Sequence, residues 1–514
     1  MSESVVNNRL IVKNTIFLYL RMIVVMLISL YTVRAFLSIL GEVDFGLYNV
    51  IGGVVGMFSF INGTLATSSQ KYFSQALVNN DIHSVNKVFC LNLSVYCVIA
   101  IIIVAILETI GLWFVNTQMT IPSERMFAAN VVYQVSIFTF VIQIITVSYN
   151  ALIIAHERMK AFAYIGIFEA FMKLGFVFVL LNVSFDKLIM YAFLYLILYV
   201  IIALTYVVYC RKNFEESIYH YYWNKTDAYE MLGFSGWHLL GTLSVIVRGQ
   251  GVNILINMFF SPAVNAARTV SYQVEGAIIH LSNSFFTAVK PQMYKSYSNG
   301  ELGALNNLVL RSSMICFFLV SILSVPLFFN AEFILGLWLK DVPDYTIVFT
   351  QLVLIEGMID AVSGSAICPA LATGNIKKFY LITGNLFILT LPIAYIFLKL
   401  GYAPTTTMLV SIVISLITLV ARALLLVGLI QLPIKSYFVL ITKLFISAFV
   451  IGGITYYSVF CFDNMLAAFI ASTILSTLLH CGIYYVFICN KSERKALCSY
   501  VTSRLFSKVE GKKK

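Results

Sequence analysis

The chain has 514 residues, of which 60% are hydrophobic and only 11% charged, with a mean hydropathy of +0.90. No soluble globular domain has that balance, so the sequence describes a polytopic α-helical membrane protein. The net charge of +11 would suggest a nucleic-acid partner in a soluble chain, but here it is read from where the charges sit, and none is expected.

The opening residues, MSESVVNNRLIVKN, are polar. The apolar run after them is too long for a signal-peptide core and lacks a small-residue cleavage site. Fourteen transmembrane helices are expected, at 15–40, 46–67, 88–115, 127–154, 161–181, 187–210, 232–259, 264–288, 306–329, 346–371, 379–400, 405–430, 437–460 and 465–489. Spans two and eight run on into basic, amphipathic ends, SSQKYFSQAL and VKPQMYKSYS, which read as helices projecting beyond the bilayer. The longest polar connection, RKNFEESIYHYYWNK at 211–225, joins spans six and seven. Its Tyr and charge content suits a segment lying in the membrane interface. Pro326 and Pro392 fall within spans and are expected to bend them. The nine cysteines form no CxxC pair and the six histidines no HExxH, so neither a metal centre nor any other cofactor is indicated.

Alternating loops differ sharply in charge. If the N-terminus is cytoplasmic, the loops and tail on that side hold 22 Lys and Arg, from Arg9, Lys13 and Lys71 to Lys514. The opposite loops hold only Arg125, Lys187, Lys340 and Lys399, and are rich in acids such as Asp44, Asp186 and Glu332. This bias, with an even number of spans, places both termini in the cytoplasm.

The sequence also repeats itself at an offset of 220. NNDIHSVNKVF at 79–89 aligns with NGELGALNNLV at 299–309, each between long apolar runs. Such a period marks duplicated helical bundles with a substrate path at the repeat interface. The expected organisation is a six-helix lobe at 1–212, an inter-lobe linker at 213–226, a second six-helix lobe at 227–430, two additional helices at 431–490 and a basic tail at 491–514. The deep charges do not share the repeat: Arg21 falls on Gly241, Arg34 on Ile254, Arg248 on Ile28 and Arg268 on Tyr48.

An ionisable group at bilayer depth costs about 2.5–3.5 kcal/mol on insertion scales, so each demands an account. Arg248 lies mid-span in SVIVRGQGVNILIN, beyond the reach of either interface, and either lines a cavity or forms a structural ion pair. Arg21 sits about two turns inside span one. Arg34 lies nearer its other end, where snorkelling is the alternative to lining a cavity. Arg268, Tyr272 and Glu275 share one helix face. Glu275 either pairs with an arginine of another helix or responds to protons. Glu356 and Asp360, four apart in LIEGMIDAV, are a candidate proton or cation site unless Arg422 or another helix neutralises them. Glu169 and Lys173 are spaced to neutralise each other along span five.

Residues 33–50, VRAFLSILGEVDFGLYNV, resemble the end of the first span and the start of the second in the polysaccharide and O-antigen flippases. An Arg, an aliphatic–Gly pair, an acidic turn and an aromatic–Gly–aliphatic–Tyr step recur there. The span number, half-repeat and size extend the resemblance over the whole chain, within the superfamily that also contains the multidrug and toxic-compound exporters. The resemblance implies a MATE-like fold of two parallel-repeat lobes. It also implies export of a lipid-linked oligosaccharide, of the undecaprenyl-diphosphate type, across a bacterial inner membrane by alternating access around a cationic cavity. The implied partners are that substrate, membrane lipids and H+ or Na+ as coupling ion, with the protein a monomer. Arginine forks suit a diphosphate, so Arg21, Arg34, Arg248 and Arg268 are the expected substrate-binding residues. Glu275, Glu356 and Asp360 are the expected coupling residues.

Two other functions fit the sequence less well. A drug or metabolite antiporter of the same fold tends to need an acidic cavity, whereas this chain places Arg at depth in both halves. A polysaccharide polymerase or ligase would need an acceptor site in a substantial outer loop. The longest such connection, near 330–345, is short and has neither His nor Cys. No enzyme activity is expected.

Overall fold

The computed structural model describes residues 2–488 apart from 80, 118, 120, 261, 340, 341, 460, 461 and 463, together with residue 494. The expected tail at 491–514 therefore lies, but for residue 494, outside the described residues.

The chain is all helical. In order the helices are α1 (Ser2–Gly56), α2 (Ser59–Ala76), α3 (Ile82–Ile106), α4 (Leu112–Thr117), α5 (Met126–Ala155), α6 (Met159–Asn182), α7 (Lys187–Asn213), α8 (Lys225–Phe259) and α9 (Pro262–Ser298). They continue as α10 (Leu302–Phe329), α11 (Ala331–Trp338), α12 (Thr346–Ser363), α13 (Ile367–Thr373), α14 (Lys377–Lys399), α15 (Thr406–Ile430), α16 (Ile434–Val459) and α17 (Met465–Ile483). Among the described residues, twelve helices are long and apolar enough to cross a membrane. A thirteenth span forms if Asp44–Gly56 and Ser59–Ala76, bent by 44°, are taken together. The remaining expected span, 264–288, lies in α9, whose Arg268, Glu275 and many small polar residues make it too polar to count.

Local chemistry explains the breaks. Helix α1 is interrupted at Gly41, where φ is +78°, a conformation a side chain would strain. Asp81 caps α3 by accepting from the His83 and Ser84 backbone N–H groups at 3.0 and 3.2 Å. Asp186 caps α7 in the same way. Asp186 also pairs with Arg125, whose other guanidinium nitrogen lies 2.5 Å from Asp44. One of the few basic residues in the acidic loops is thus held between two carboxylates.

The 220-residue period is visible in the helices: α3 and α10 start 220 positions apart, as do α5 and α12. The recurring asparagine of the repeat motif has a physical role. Asn86 Nδ2 donates to the Glu216 and Ile218 carbonyls, at 2.8 and 2.7 Å, in the chain leaving α7. Asn306 Nδ2 donates to the Ile430 and Gln431 carbonyls, at 3.3 and 3.2 Å, where the chain leaves α15. In each half the third span staples the carbonyls that end the sixth.

The chain forms two compact units that do not coincide with the sequence halves. The first comprises Met1–Val247, Asn283–Leu305 and Cys368–Asn385, and the second comprises Arg248–Ser282, Asn306–Ile367 and the described residues from Leu386 onward. The first unit has two apolar cores, one around Phe73, Phe89 and Leu152, the other around Tyr96, Tyr133 and Ile144. Within it, helix ends from both sequence halves meet on the side of the basic loops. Lys295 Nζ and Gln292 Nε2 bind the two Glu157 carboxylate oxygens, at 2.7 and 3.2 Å. Gln75 Nε2 donates to the Ala372 carbonyl at 3.0 Å, near the end of α13. Gln75 and Lys295 occupy the same repeat position, so α2 and its counterpart α9 make the corresponding contact with different chemistry. Nearby, Lys71 is buried against the Tyr72 and Phe234 rings, 4.2 and 4.4 Å from their centroids. The second unit packs α8 and α9 against α12 and α15 through Val252, Ile256, Ala267, Phe349, Val353 and Met408.

Candidate functional site

The deep charges of the second half gather inside the second unit. Arg248, on α8 and only 8% exposed, forms an ion pair with Glu356 of α12. Ser415 of α15 donates to Glu356 Oε1 at 3.4 Å, and Tyr272 of α9 donates to Oε2 at 3.4 Å. Arg248 Nη1 also reaches Ser415 Oγ at 3.5 Å. A buried guanidinium and a buried carboxylate each need several partners, and this cluster supplies them from four helices.

Around that pair lie two further arginines. Arg422 donates to Ser363 Oγ at 2.8 Å. Both it and Arg248 face the Phe387 ring, with guanidinium carbons 5.5 and 5.1 Å from its centroid. Arg422 and Arg248 are the cations acting on Asp360, which also hydrogen bonds Ser415. Arg268 donates to Asn253 and lies over the Tyr272 ring at 4.4 Å. Its Nε is buried with no hydrogen-bond partner among the described residues. Glu275 lies against Gly357 of α12, where a Cβ would sit 3.3 Å from Glu275 Oε1. The structure therefore brings together Arg248, Arg268, Glu275, Glu356 and Asp360, with Arg422 completing a set of three cations and three carboxylates.

The first unit holds the other two expected arginines, and they do not meet. Arg21 lies over the Phe162 ring at 4.2 Å, against Gly166 of α6. A Cβ on Gly166 would come within 2.1 Å of Arg21 Nε, so the glycine makes room for the guanidinium. That Nε is buried and has no hydrogen-bond partner among the described residues. Arg34 is exposed on α1. Glu169 and Lys173 form the expected pair at 2.6 Å, with Lys173 also facing Tyr195 and Tyr199.

Sequence reading overlooked Ser415 and Phe387. Ser415 belongs to a buried polar stripe on α15, with Ser411, Thr418 and Arg422. Their spacing of four, three and four is one helix face, and that stripe on so apolar a helix was the available signal. Phe387 carried none, because aromatic residues are common throughout the chain.

No protein-family model matches the chain, and no curated protein does. Solved structures do. An outward-facing multidrug resistance MATE family transporter of the MOP superfamily aligns with a TM-score of 0.72 at 14% identity, over 84% of this chain and 96% of that one. A MATE transporter in complex with MaD5 aligns at 0.70 and 14%, over 84% and 97%. The MATE transporter ClbM in complex with Rb+ aligns at 0.63 and 14%, over 80% and 94%. The fold is MATE-like, and these structural neighbours are transporters.

Proposed function

We propose that this chain moves a lipid-linked oligosaccharide with a diphosphate head group from the cytoplasmic to the periplasmic leaflet of a bacterial inner membrane, for surface polysaccharide or O-antigen assembly. The observation that carries this reading is that each unit holds a deep arginine with an unfilled buried Nε–H: Arg21 in the first and Arg268 in the second. Such a group lacks a hydrogen bond that a phosphate oxygen would supply. Both guanidinium groups lie on aromatic rings, which orient the planar fork, and Tyr272 also hydrogen bonds Arg268. Arg34 is the more exposed third contact.

The six-helix lobes, 1–212 and 227–430, work by alternating access, with both termini cytoplasmic as the loop charges favour. Arg248 has its counter-ion in Glu356, so it enters the cycle by exchanging that carboxylate for substrate. Glu275, Glu356 and Asp360 are the coupling carboxylates, and H+ or Na+ is the ion they respond to. The protein acts as a monomer. A second reading, a drug or metabolite cation antiporter of the same fold, draws on Glu275 lying against Gly357 of α12, one turn from Asp360.

The test is glycan export in a strain lacking its own surface-glycan flippase. The wild-type chain is expected to restore export, and Arg21→Ala and Arg268→Ala to abolish it at unchanged protein level. Full export by both variants would overturn the assignment. Drug resistance without glycan export would establish the second reading.

A further inference from the structure

The connection between α7 and α8 has two faces of opposite character. Its inner face is pinned to the first unit. Phe214, Glu216 and Ser217 are buried, Phe214 stacks on His156 at 4.1 Å, and Glu216 lies 2.6 Å from His156 Nε2. The two bonds from Asn86 hold the carbonyls of 216 and 218, and the His220 N–H donates to Cys90 Sγ at 3.2 Å. Its outer face is aromatic and open: Ile218 is 51% exposed, Tyr219 44%, Tyr221 82% and Trp223 44%.

We infer that this outer face is a docking surface for phospholipid, seated in the headgroup layer on the side of the basic loops. Three observations name lipid as the occupant. The segment joins Asn213 to Lys225, the ends of two helices long and apolar enough to span a membrane, so it emerges at the bilayer surface. Both flanking helices also carry exposed apolar side chains within about three turns of the segment, Leu204 and Val208 on α7 and Tyr229 and Leu232 on α8. Tyr and Trp suit that layer because each presents an apolar body and a polar tip.

Charge does not select the lipid. The exposed cations Arg211, Lys212 and Lys225 are matched by the exposed anions Glu215, Asp227 and Glu230. Seating is therefore driven by the aromatic rings rather than by attraction to anionic headgroups. Because the inner face is fastened to α3 and to the turn after α5, the linker acts as a fixed float that sets the height of the first unit in the bilayer.

The experiment keeps Trp223 as the sole tryptophan, with Trp113, Trp237 and Trp338 changed to Phe, in phosphatidylcholine vesicles carrying bromine high or low on the acyl chain. Trp223 emission is expected to be quenched, more by the high bromines than the low, and equally with or without phosphatidylglycerol. Emission unaffected by bromine would overturn the proposal, whether red-shifted by water or blue-shifted beneath a protein partner. Quenching only in the presence of phosphatidylglycerol would overturn its aromatic basis. If the triple replacement does not fold, the difference between wild type and Trp223→Phe gives the same reading.

Discussion

At the scale of single residues, burial decides what each charge can do. Arg248 and Glu356 are both buried, and removing one partner leaves the other uncompensated. Arg248→Met is expected to lower stability by about 3–5 kcal/mol in thermal melts, whereas Arg248→Met with Glu356→Leu returns close to wild type. If the double variant is stable and does not export glycan, Arg248 is needed for transport apart from its part in the fold. A stable double variant that exports normally would confine Arg248 to structure. Glu216 offers a separate test through pH. Burial pushes its carboxyl up, but hydrogen bonds from His156 and from its own backbone outweigh this and hold it below its ordinary value of 4.5. The stabilisation is therefore present above that value and is lost as pH falls through the lower, folded one. Hydrogen exchange in 214–220 is expected to quicken across that acid range. In His156→Ala that acid-range loss is expected to disappear, because burial, the largest influence on the carboxyl, is then opposed only by the backbone hydrogen bond.

At the scale of helices, the repeat motif shows how much a sequence can disclose. The recurrence of Asn86 and Asn306 was legible as a pattern, but its cause was not, because the carbonyls they bind lie more than a hundred residues away. Asn306→Leu is expected to cost about 1–3 kcal/mol by leaving carbonyls without a donor, measured by thermal melting. Asn86→Leu should do the same and also loosen the linker, so that amide exchange in 214–220 quickens. A substitution at either position with no effect on melting would show that water replaces the staple. Span positions were readable from apolar runs because a bilayer demands length and hydrophobicity. The bend after Gly56 was not, since it separates two helical stretches with no proline to mark it. The arginines were readable as anomalies in apolar runs. Their partners were harder: Glu356 stood out as a deep acid, but Ser415 and Phe387 took their roles only when four helices came together.

At the scale of the molecule, duplication supplied the frame and divergence supplied the chemistry. At the repeat offset, Arg248, Arg268, Glu275, Glu356, Asp360 and Arg422 fall on Ile28, Tyr48, Val55, Ser136, Phe140 and Ile202. The ionic cluster is thus private to the second half. The contacts on the basic side divide differently: Gln75 and Lys295 hold equivalent places, one giving a neutral hydrogen bond and the other an ion pair. Asn86 and Asn306 each close a half upon itself, while parts of the second half belong to the first unit, so the covalent bond between the halves is expected to be dispensable for assembly. Two polypeptides, one ending after His220 and the other beginning at Tyr221, are expected to find each other in the membrane and co-purify. Lys295 and Glu157 then join Gln75–Ala372 and the apolar packing of Ala228, Met231 and Ala288 in holding the two pieces, so split pairs should survive high salt but separate more readily in Lys295→Ala. Such a protein would behave as a heterodimer of its own two halves.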